Sequence, residues 1–199
     1  MRTVASEFIS LDGVVQAPGE PEDETDLDFA HSGWSLPYVD PEVVGGAFEG
    51  ALAKAGALLC GERTWQAMAT LWPERAGEIF ADRMNSVRTY LVSGTLDESD
   101  LPWDNMRLIR AGEVMDRIED LRATPGGDLL IAGSPRLVRS LLAEGMLDEL
   151  MLMRMPVLLG GGVSIFPADG VRRPFQLVST VAAKTGAEVC VYRAVAQDV

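Results

Sequence analysis

A chain of 199 residues is long enough for one domain with a substantial core or for two very small ones, and its 47% hydrophobic content is typical of globular proteins. The formal net charge of −13 argues against binding to nucleic acid or to an anionic membrane surface, although one or two arginines at a helix start can still hold a small anion. No apolar run approaches the length of a membrane-spanning helix, so we expect a soluble, cytoplasmic protein.

The first part of the chain predicts one strand and then a long connection. Residues 3–9 (TVASEFI) have the pattern of a strand, and an irregular stretch follows from Ser10 to Asp40. Within it, residues 20–28 (EPEDETDLD) carry six acids and are interpreted as a solvated loop. A connection this long inside a compact domain is usually functional or disordered.

From Asp40 onward, strands and helices alternate. Asp40-Pro41 predicts a helix N-cap with proline at the first helical position. The predicted strands cover residues 57–60, 88–93, 106–110 and 128–133, and another begins within 147–162. The predicted helices follow Asp40, begin near Thr64, and cover about 75–85, 112–123 and 134–145. The tail, residues 175–195, predicts an antiparallel hairpin around KTGAE.

This order predicts a mixed α/β fold, with a mainly parallel sheet covered by helices on both faces and a C-terminal antiparallel hairpin. We interpret residues 1–199 as a single domain, because the sequence contains neither an internal repeat nor a linker. Cys60 and Cys190 lie in apolar runs (ALLCG and AEVCVY), which predicts two buried thiols in a reducing compartment rather than a disulfide.

Two strand-to-helix junctions are candidate phosphate sites. LLCGERTW places Gly61 at the end of one strand, and LLIAGSPRL places Gly133 at the end of another. In open α/β sheets ligands bind at such strand ends, and two junctions can hold the two phosphates of a dinucleotide. Two ordinary turns are an equally good interpretation of the pattern alone. Arg63 adds a positive charge, or forms an ion pair with an acid such as Glu62. Ser134 is expected to cap the following helix.

Five stretches together resemble the dihydrofolate reductase-like family. They are SLDGVVQAPG, GERTW, YLVSGTL, GGDLLIAGSPRLVRSLLAEGMLDEL and MPVLLGGGVSIF. The resemblance runs from about residue 2 to residue 193 and is closer to the branch that contains the C-terminal reductase domain of bacterial riboflavin biosynthesis proteins. It implies a single-domain dihydrofolate reductase-like fold, an NADPH site (with NADH as the other possibility), a small-molecule substrate and a homodimer.

The resemblance also implies roles for individual residues, carried over motif by motif. Asp12 would be the catalytic candidate beside the nicotinamide, and Trp34 and Tyr38 would wall the substrate pocket or, equally, anchor the long loop. The implied cofactor-binding residues are Gly13 beside the nicotinamide, Gly61, Arg63 and Thr64 at the phosphate end, Ser93 and Gly94 near the adenosine, and Gly133, Ser134 and Leu137 at the pyrophosphate and nicotinamide ribose.

The chain departs from the family pattern in its charges. Gly94 stands where many relatives have a basic residue, and Glu62 precedes Arg63 where many have two basic residues. The loss of positive charge weakens the case for NADPH over NADH, and Arg63 and Arg88 remain as candidates for the 2′-phosphate.

No proton donor is evident, since Glu42 and Glu49 fall outside the apolar face of their helix and are expected to face solvent. The single histidine, His31, is interpreted as a polar loop residue, and one histidine with two distant cysteines gives no metal site. The leading hypothesis is an NAD(P)H-dependent reductase that transfers a hydride to a small heterocyclic or carbonyl substrate. The alternative is a non-catalytic nucleotide- or ligand-binding protein of the same fold.

Overall fold

The computed structural model describes residues 1–19, 24–71, 79–101 and 103–195. Its eight strands are β1 (Thr3–Ser10), β2 (Ala55–Gly61), β3 (Thr89–Ser93), β4 (Met106–Arg110), β5 (Asp128–Ala132), β6 (Glu149–Met155), β7 (Phe175–Ala182) and β8 (Glu188–Ala194). Its α-helices are α1 (Glu24–Leu27), α2 (Gly46–Lys54), α3 (Glu62–Leu71), α4 (Ile79–Ser86), α5 (Val114–Ala123) and α6 (Pro135–Ala143).

The strands form one sheet in the order β4-β3-β2-β5-β1-β6-β8-β7. Strands β1 to β6 pair with one another in parallel, and β8 pairs antiparallel with both β6 and β7. The predicted mainly parallel sheet and the C-terminal hairpin are therefore confirmed. All six parallel strands point their carboxyl ends toward the same edge of the sheet, which is where ligands bind in such folds.

Helices cover both faces of the sheet, as predicted, and the alternation of side chains along β5 shows this directly. Leu129 and Ile131 pack into the cluster that includes residues of α5 and α6. Leu130, between them, packs on the other face with Leu52 of α2 and Met84 of α4. Because successive residues of a strand point to opposite faces, only a strand buried on both sides reads as a continuous apolar run.

Several local predictions are confirmed with small shifts. The carboxylate of Asp40 accepts hydrogen bonds from the N–H groups of Glu42 and Val43, but residues 41–45 form a π-helical turn before α2 begins. Helix α3 begins at Glu62, two residues before the predicted start, and α5 begins after a 3₁₀ turn over Ala111–Glu113. Part of the helix predicted for 75–85 lies outside the described residues.

Both cysteines are buried free thiols, as predicted. Burial raises the pKa of Cys60 to about 12, which keeps this thiol protonated at neutral pH. No helix within the described ranges is long and apolar enough to cross a membrane.

Candidate active site at the carboxyl edge of the sheet

The two predicted phosphate junctions lie side by side at the carboxyl edge of the sheet, because β2 and β5 are adjacent parallel strands. The hydroxyl of Ser134 accepts a hydrogen bond from the N–H of Gly61 at 2.9 Å and so ties one junction to the other. Ser134 has φ +63° and makes no side-chain cap on α6. The prediction that Ser134 caps the helix is therefore wrong: its left-handed backbone directs the hydroxyl across the sheet edge instead.

The backbone at Gly133 is the close-approach point that the sequence suggested. Its φ is +73°, and its N–H donates to the carbonyl oxygen of Ser6 on β1 at 3.2 Å. A Cβ atom at this position would lie 3.2 Å from Cγ2 of Thr64. Glycine is required here both for the left-handed conformation and for space. The two turns thus pack against each other, and an added side chain would separate them.

A first cavity, of about 280 Å³, opens between β1, β5 and the long connection after β1. Its walls contain both apolar side chains, such as Phe8, Phe48 and Met153, and charged ones. The residues that line it are Ser6, Glu7, Phe8, Val15, Gln16, Ala17, Pro18, Asp26, Phe48, Arg63, Thr64, Ala132, Gly133, Pro135, Arg136, Met153 and Val163. We call this space cavity A.

A buried ion pair lies in the wall of cavity A. One guanidinium nitrogen of Arg63 donates to Oδ2 of Asp26 at 3.0 Å, and the Asp26 side chain is only 1% exposed. The amide of Gln16 donates to the other carboxylate oxygen at 3.0 Å. The interpretation of residues 20–28 as a solvated loop is therefore wrong at Asp26, while residues 20–23 lie outside the described residues. Among the described residues, Arg63 thus pairs with Asp26, whereas the neighbouring Glu62 is bonded to Ser93 and Thr95.

A second cavity, of about 380 Å³, lies between α3, α5 and α6 and is called cavity B. The residues that line it are Gly61, Glu62, Arg63, Thr64, Val92, Ala111, Val114, Met115, Ser134, Pro135, Arg136, Leu137 and Ser140. Arg63, Thr64, Pro135 and Arg136 line both cavities, so the two spaces meet at the start of α6. Six of the predicted cofactor-binding residues line one or both of these cavities, namely Gly61, Arg63, Thr64, Gly133, Ser134 and Leu137.

The predicted adenosine residues Ser93 and Gly94 line neither cavity. The buried hydroxyl of Ser93 donates to Oε2 of Glu62 at 2.6 Å and accepts the N–H groups of Thr95 and Leu96, both at 3.0 Å. It therefore organises the turn after β3 and reaches cavity B only through Glu62. Arg88 precedes β3 and so lies at the opposite, amino end of that strand from this edge, which excludes it as a partner for a phosphate there.

Asp12, the catalytic candidate, lies outside both cavities with Gly13. Its carboxylate accepts hydrogen bonds from the Ser10 hydroxyl at 2.6 Å and from the N–H groups of Gly160 and Leu159 at 2.7 and 3.1 Å. These bonds, that of Ser10 foremost, lower the pKa of Asp12 to about 2. Asp12 thus fastens the turn after β1 to the segment after β6.

Trp34 and Tyr38 also line neither cavity, and both take the anchoring role that the sequence left open. Trp34 is 7% exposed, packs in the cluster with Val44, and donates its indole N–H to the carbonyl oxygen of Gln16 at 2.7 Å. Tyr38 packs against the same cluster. Exposed His31 makes an edge contact with Phe29, as expected for a loop residue. Glu42 and Glu49 are exposed, as predicted.

The family of the chain follows from comparison with known proteins. Residues 3–190 match the family model described as the RibD C-terminal domain. The chain belongs to this family. The match confirms the resemblance that the sequence motifs indicated, and it covers both strand-to-helix junctions.

Solved structures share the fold at low sequence identity. A putative riboflavin biosynthesis protein from Shewanella sp. PV-4 is 20% identical, with a TM-score of 0.75 over 98% of this chain and 100% of that chain. Dihydrofolate reductase from Enterococcus faecalis, complexed with NADP(H), is 13% identical, with a TM-score of 0.59 over 97% of this chain and 96% of that one. This member of the RibD C-terminal domain family therefore has a dihydrofolate reductase-like fold.

A curated relative is the uncharacterized protein YyaP of Bacillus subtilis (strain 168). It is 27% identical over 109 residues, which are 55% of this chain and 56% of YyaP. The matched segment thus spans little more than half of that relative's length.

Three charged residues of this RibD-type site were missed from the sequence. Glu7 lines cavity A with only 4% of its surface exposed, and Asp26 and Arg136 line it from the long connection and from α6. Glu7 left a signal, since it is the one charged residue in the otherwise uncharged strand TVASEFIS. The sequence gives no such signal for Asp26, because nothing distinguishes it from the other acids of residues 20–28. Within the described residues, no group of three or more His, Cys, Asp or Glu side chains is placed to hold a metal ion.

Proposed function

We propose that this RibD-family protein is an NAD(P)H-dependent reductase of a small heterocyclic or carbonyl compound. The observation that carries the proposal is the pair of cavities that meet at Arg63, Thr64, Pro135 and Arg136 on the carboxyl edge of the sheet. A dinucleotide has two bulky ends joined by a pyrophosphate, and two spaces joined at a helix start match that shape.

The groups at the junction fit a pyrophosphate. Because the Ser134 hydroxyl is used by Gly61, the backbone N–H of Arg136 has no side-chain cap. Pro135 has no N–H, and the N–H groups of Leu137 and Val138 donate to the carbonyl oxygen of Ser134. Arg136 stands exposed at the same helix start and lines both cavities. The absence of a side chain at Gly133 keeps the approach to the backbone open. An uncapped N–H group at a helix start together with an arginine side chain is a donor set that suits phosphate oxygens.

Cavity A suits the nicotinamide ring of the cofactor and the substrate. When bound there, a reduced nicotinamide supplies a hydride, and the substrate then needs a proton from a side chain or a positioned water. Glu7 is the acid we propose for this role, because its buried carboxyl lines the cavity, whereas the carboxyl of Asp26 is paired with Arg63. The apolar walls formed by Phe8, Phe48 and Met153 limit the access of water.

We propose a homodimer because the edge strand β7 exposes apolar side chains. β7 is the last strand of the sheet, and its Leu177, Val178 and Val181 are 49%, 47% and 54% exposed. An edge strand with apolar side chains in solvent is a surface that a second copy of this chain would cover. Sedimentation of the native protein tests this, and Val181→Asp is expected to shift the dimer to monomer. A native protein that sediments as a monomer at micromolar concentration contradicts it.

Cofactor binding is the first test of the proposed function. Titration of the protein into NADH and NADPH, followed by nicotinamide fluorescence, is expected to give saturable binding of at least one of them. Arg136→Ala should weaken that binding by about tenfold or more, since it removes a charge-assisted contact to phosphate. Arg139→Ala is the matched control, because Arg139 is exposed on the same helix and lines neither cavity.

Turnover is the second test. A panel of small heterocyclic and carbonyl compounds is added to the protein with the cofactor that binds, and the loss of reduced nicotinamide absorbance is measured. Glu7→Gln should lower the rate of reduction and leave cofactor affinity within about threefold of the native value. If neither cofactor binds at millimolar concentration, the reductase proposal is refuted. Binding without turnover of any compound would instead favour the ligand-binding alternative.

A further inference from the structure

The wall of cavity B carries a fixed negative charge at the start of α3. Oε2 of Glu62 accepts hydrogen bonds from the hydroxyls of Ser93 at 2.6 Å and Thr95 at 2.8 Å. Ser93 is in turn held by the N–H groups of Thr95 and Leu96. The carboxylate is therefore positioned by the turn after β3, and its second oxygen, Oε1, is hydrogen-bonded to no described residue.

The location of Glu62 decides which part of a dinucleotide it meets. Arg136 and the start of α6 are common to both cavities, so a bound dinucleotide would place its pyrophosphate there. Cavity A contains Glu7, Asp26 and room for a substrate, so the adenosine half of the cofactor would occupy cavity B, whose far wall is apolar. The side chains of that wall are Val92, Ala111, Val114 and Met115. The adenosine ribose, which joins the pyrophosphate to the adenine, then passes Glu62.

A carboxylate beside that ribose discriminates between the two cofactors. It accepts a hydrogen bond from the 2′-hydroxyl of NADH, whereas it repels the 2′-phosphate of NADPH, which carries negative charge and has no proton to share at neutral pH. Of the arginines that line cavity B, Arg63 is paired with Asp26, and Arg136 lies at the start of α6, where the pyrophosphate would bind. Arg110, at the end of β4, pairs with Asp97.

We propose that Glu62 makes this protein select NADH over NADPH, with its carboxylate as the acceptor for the 2′-hydroxyl of the adenosine ribose. This inference rests on the proposed function, since it requires that a nicotinamide dinucleotide binds across the two cavities. The hydroxyls of Ser93 and Thr95 are positioning groups that hold the carboxylate toward the cavity. The discrimination is electrostatic, so it is expected to diminish as salt is raised.

The test compares dissociation constants for the two cofactors, measured by nicotinamide fluorescence. The native protein should bind NADH at least tenfold more tightly than NADPH. Glu62→Gln keeps the length of the side chain and removes its charge, so it should improve NADPH binding about tenfold and change NADH binding less than threefold. Glu113→Gln is the control for net charge, since Glu113 is exposed, directly precedes helix α5 in the wall of cavity B, and lines neither cavity.

A second measurement needs no variant and so does not depend on the folding of Glu62→Gln. Calorimetry of the native protein should show 5′-ADP binding more tightly than 2′,5′-ADP, because only the latter brings a phosphate to Glu62. Equal affinities for NADH and NADPH, or a preference for NADPH, would overturn the inference and leave the proposed function standing. An unchanged ratio in Glu62→Gln would do the same. If neither dinucleotide binds, both the inference and the proposed function fail.

Discussion

Replacing Gly133 by alanine tests the close packing of the two junctions. The substitution places a methyl group in a backbone with φ +73°, at 3.2 Å from Cγ2 of Thr64. A left-handed alanine costs about 1 kcal/mol of folding free energy. The crowding against Thr64, which is buried, adds about 1 kcal/mol more because its neighbours must move. We therefore expect Gly133→Ala to lower the free energy of unfolding by about 2 kcal/mol.

Gly145→Ala is the matched control, since Gly145 has a similar φ of +67° and open space around its Cα. It should lose only the backbone contribution of about 1 kcal/mol, so the melting temperatures of the two variants should differ by about 2–4 °C. Adding Thr64→Ser removes Cγ2 and keeps the hydroxyl, which should relieve the crowding in Gly133→Ala but not in Gly145→Ala.

Urea unfolding of the single and double variants measures this effect as a coupling free energy of about 1 kcal/mol between positions 133 and 64. Equal destabilisation of Gly133→Ala and Gly145→Ala would refute the reasoning, as would zero coupling with Thr64→Ser. Binding of NADH to Gly133→Ala should also weaken, because the new methyl group stands at the junction of the two cavities.

Three further predictions concern the contacts around the site. Ser134→Ala should cost about 1 kcal/mol in urea unfolding, because the N–H of Gly61 loses its acceptor; an unchanged midpoint contradicts this. The pKa of Asp12 is lowered from 3.8 to about 2, so its carboxylate should protect the Gly160 amide fully from hydrogen exchange above pH 3.8. This protection should be lost as the pH falls through about 2, where the carboxylate is protonated. In Asp12→Asn the protection should be weaker at every pH above that range, and equal protection would exclude the bond. Cys60, with its pKa raised to about 12, should react with thiol reagents only after unfolding, so fast labelling of native protein would contradict its burial.

The alternation of strands and helices was predictable because the apolar periodicities of both elements can be recognised from residues that are close in the sequence. A strand buried on two faces gives a continuous apolar run such as LLIA, and the cap at Asp40 needs only its own neighbours. Gly133 was predictable for the same reason, since a glycine at the end of a buried strand indicates a turn. Short-range patterns of this kind do not depend on which elements later become neighbours.

The functions of the polar side chains could not be predicted in this way. Ser134 has the sequence context of an N-cap, yet its hydroxyl bonds Gly61, 73 residues away. Asp26 looks like one acid among six, yet it is buried against Arg63. Asp12, which the resemblance placed beside the nicotinamide, bonds the segment after β6, 148 residues away. In each case the partner is distant in the chain, so the choice among possible hydrogen bonds depends on the packed fold.

The sequence by itself therefore determined the family, the mixed α/β sheet, and the two glycine junctions at its carboxyl edge. Only the tertiary structure decided that these junctions touch, that two cavities meet between them, and that Glu7, Asp26 and Arg136 supply their charges while Glu62 lines one of them. The physical reason is that secondary structure follows from local periodicity, whereas a site is formed by side chains that the parallel order of β2, β5 and β1 brings together.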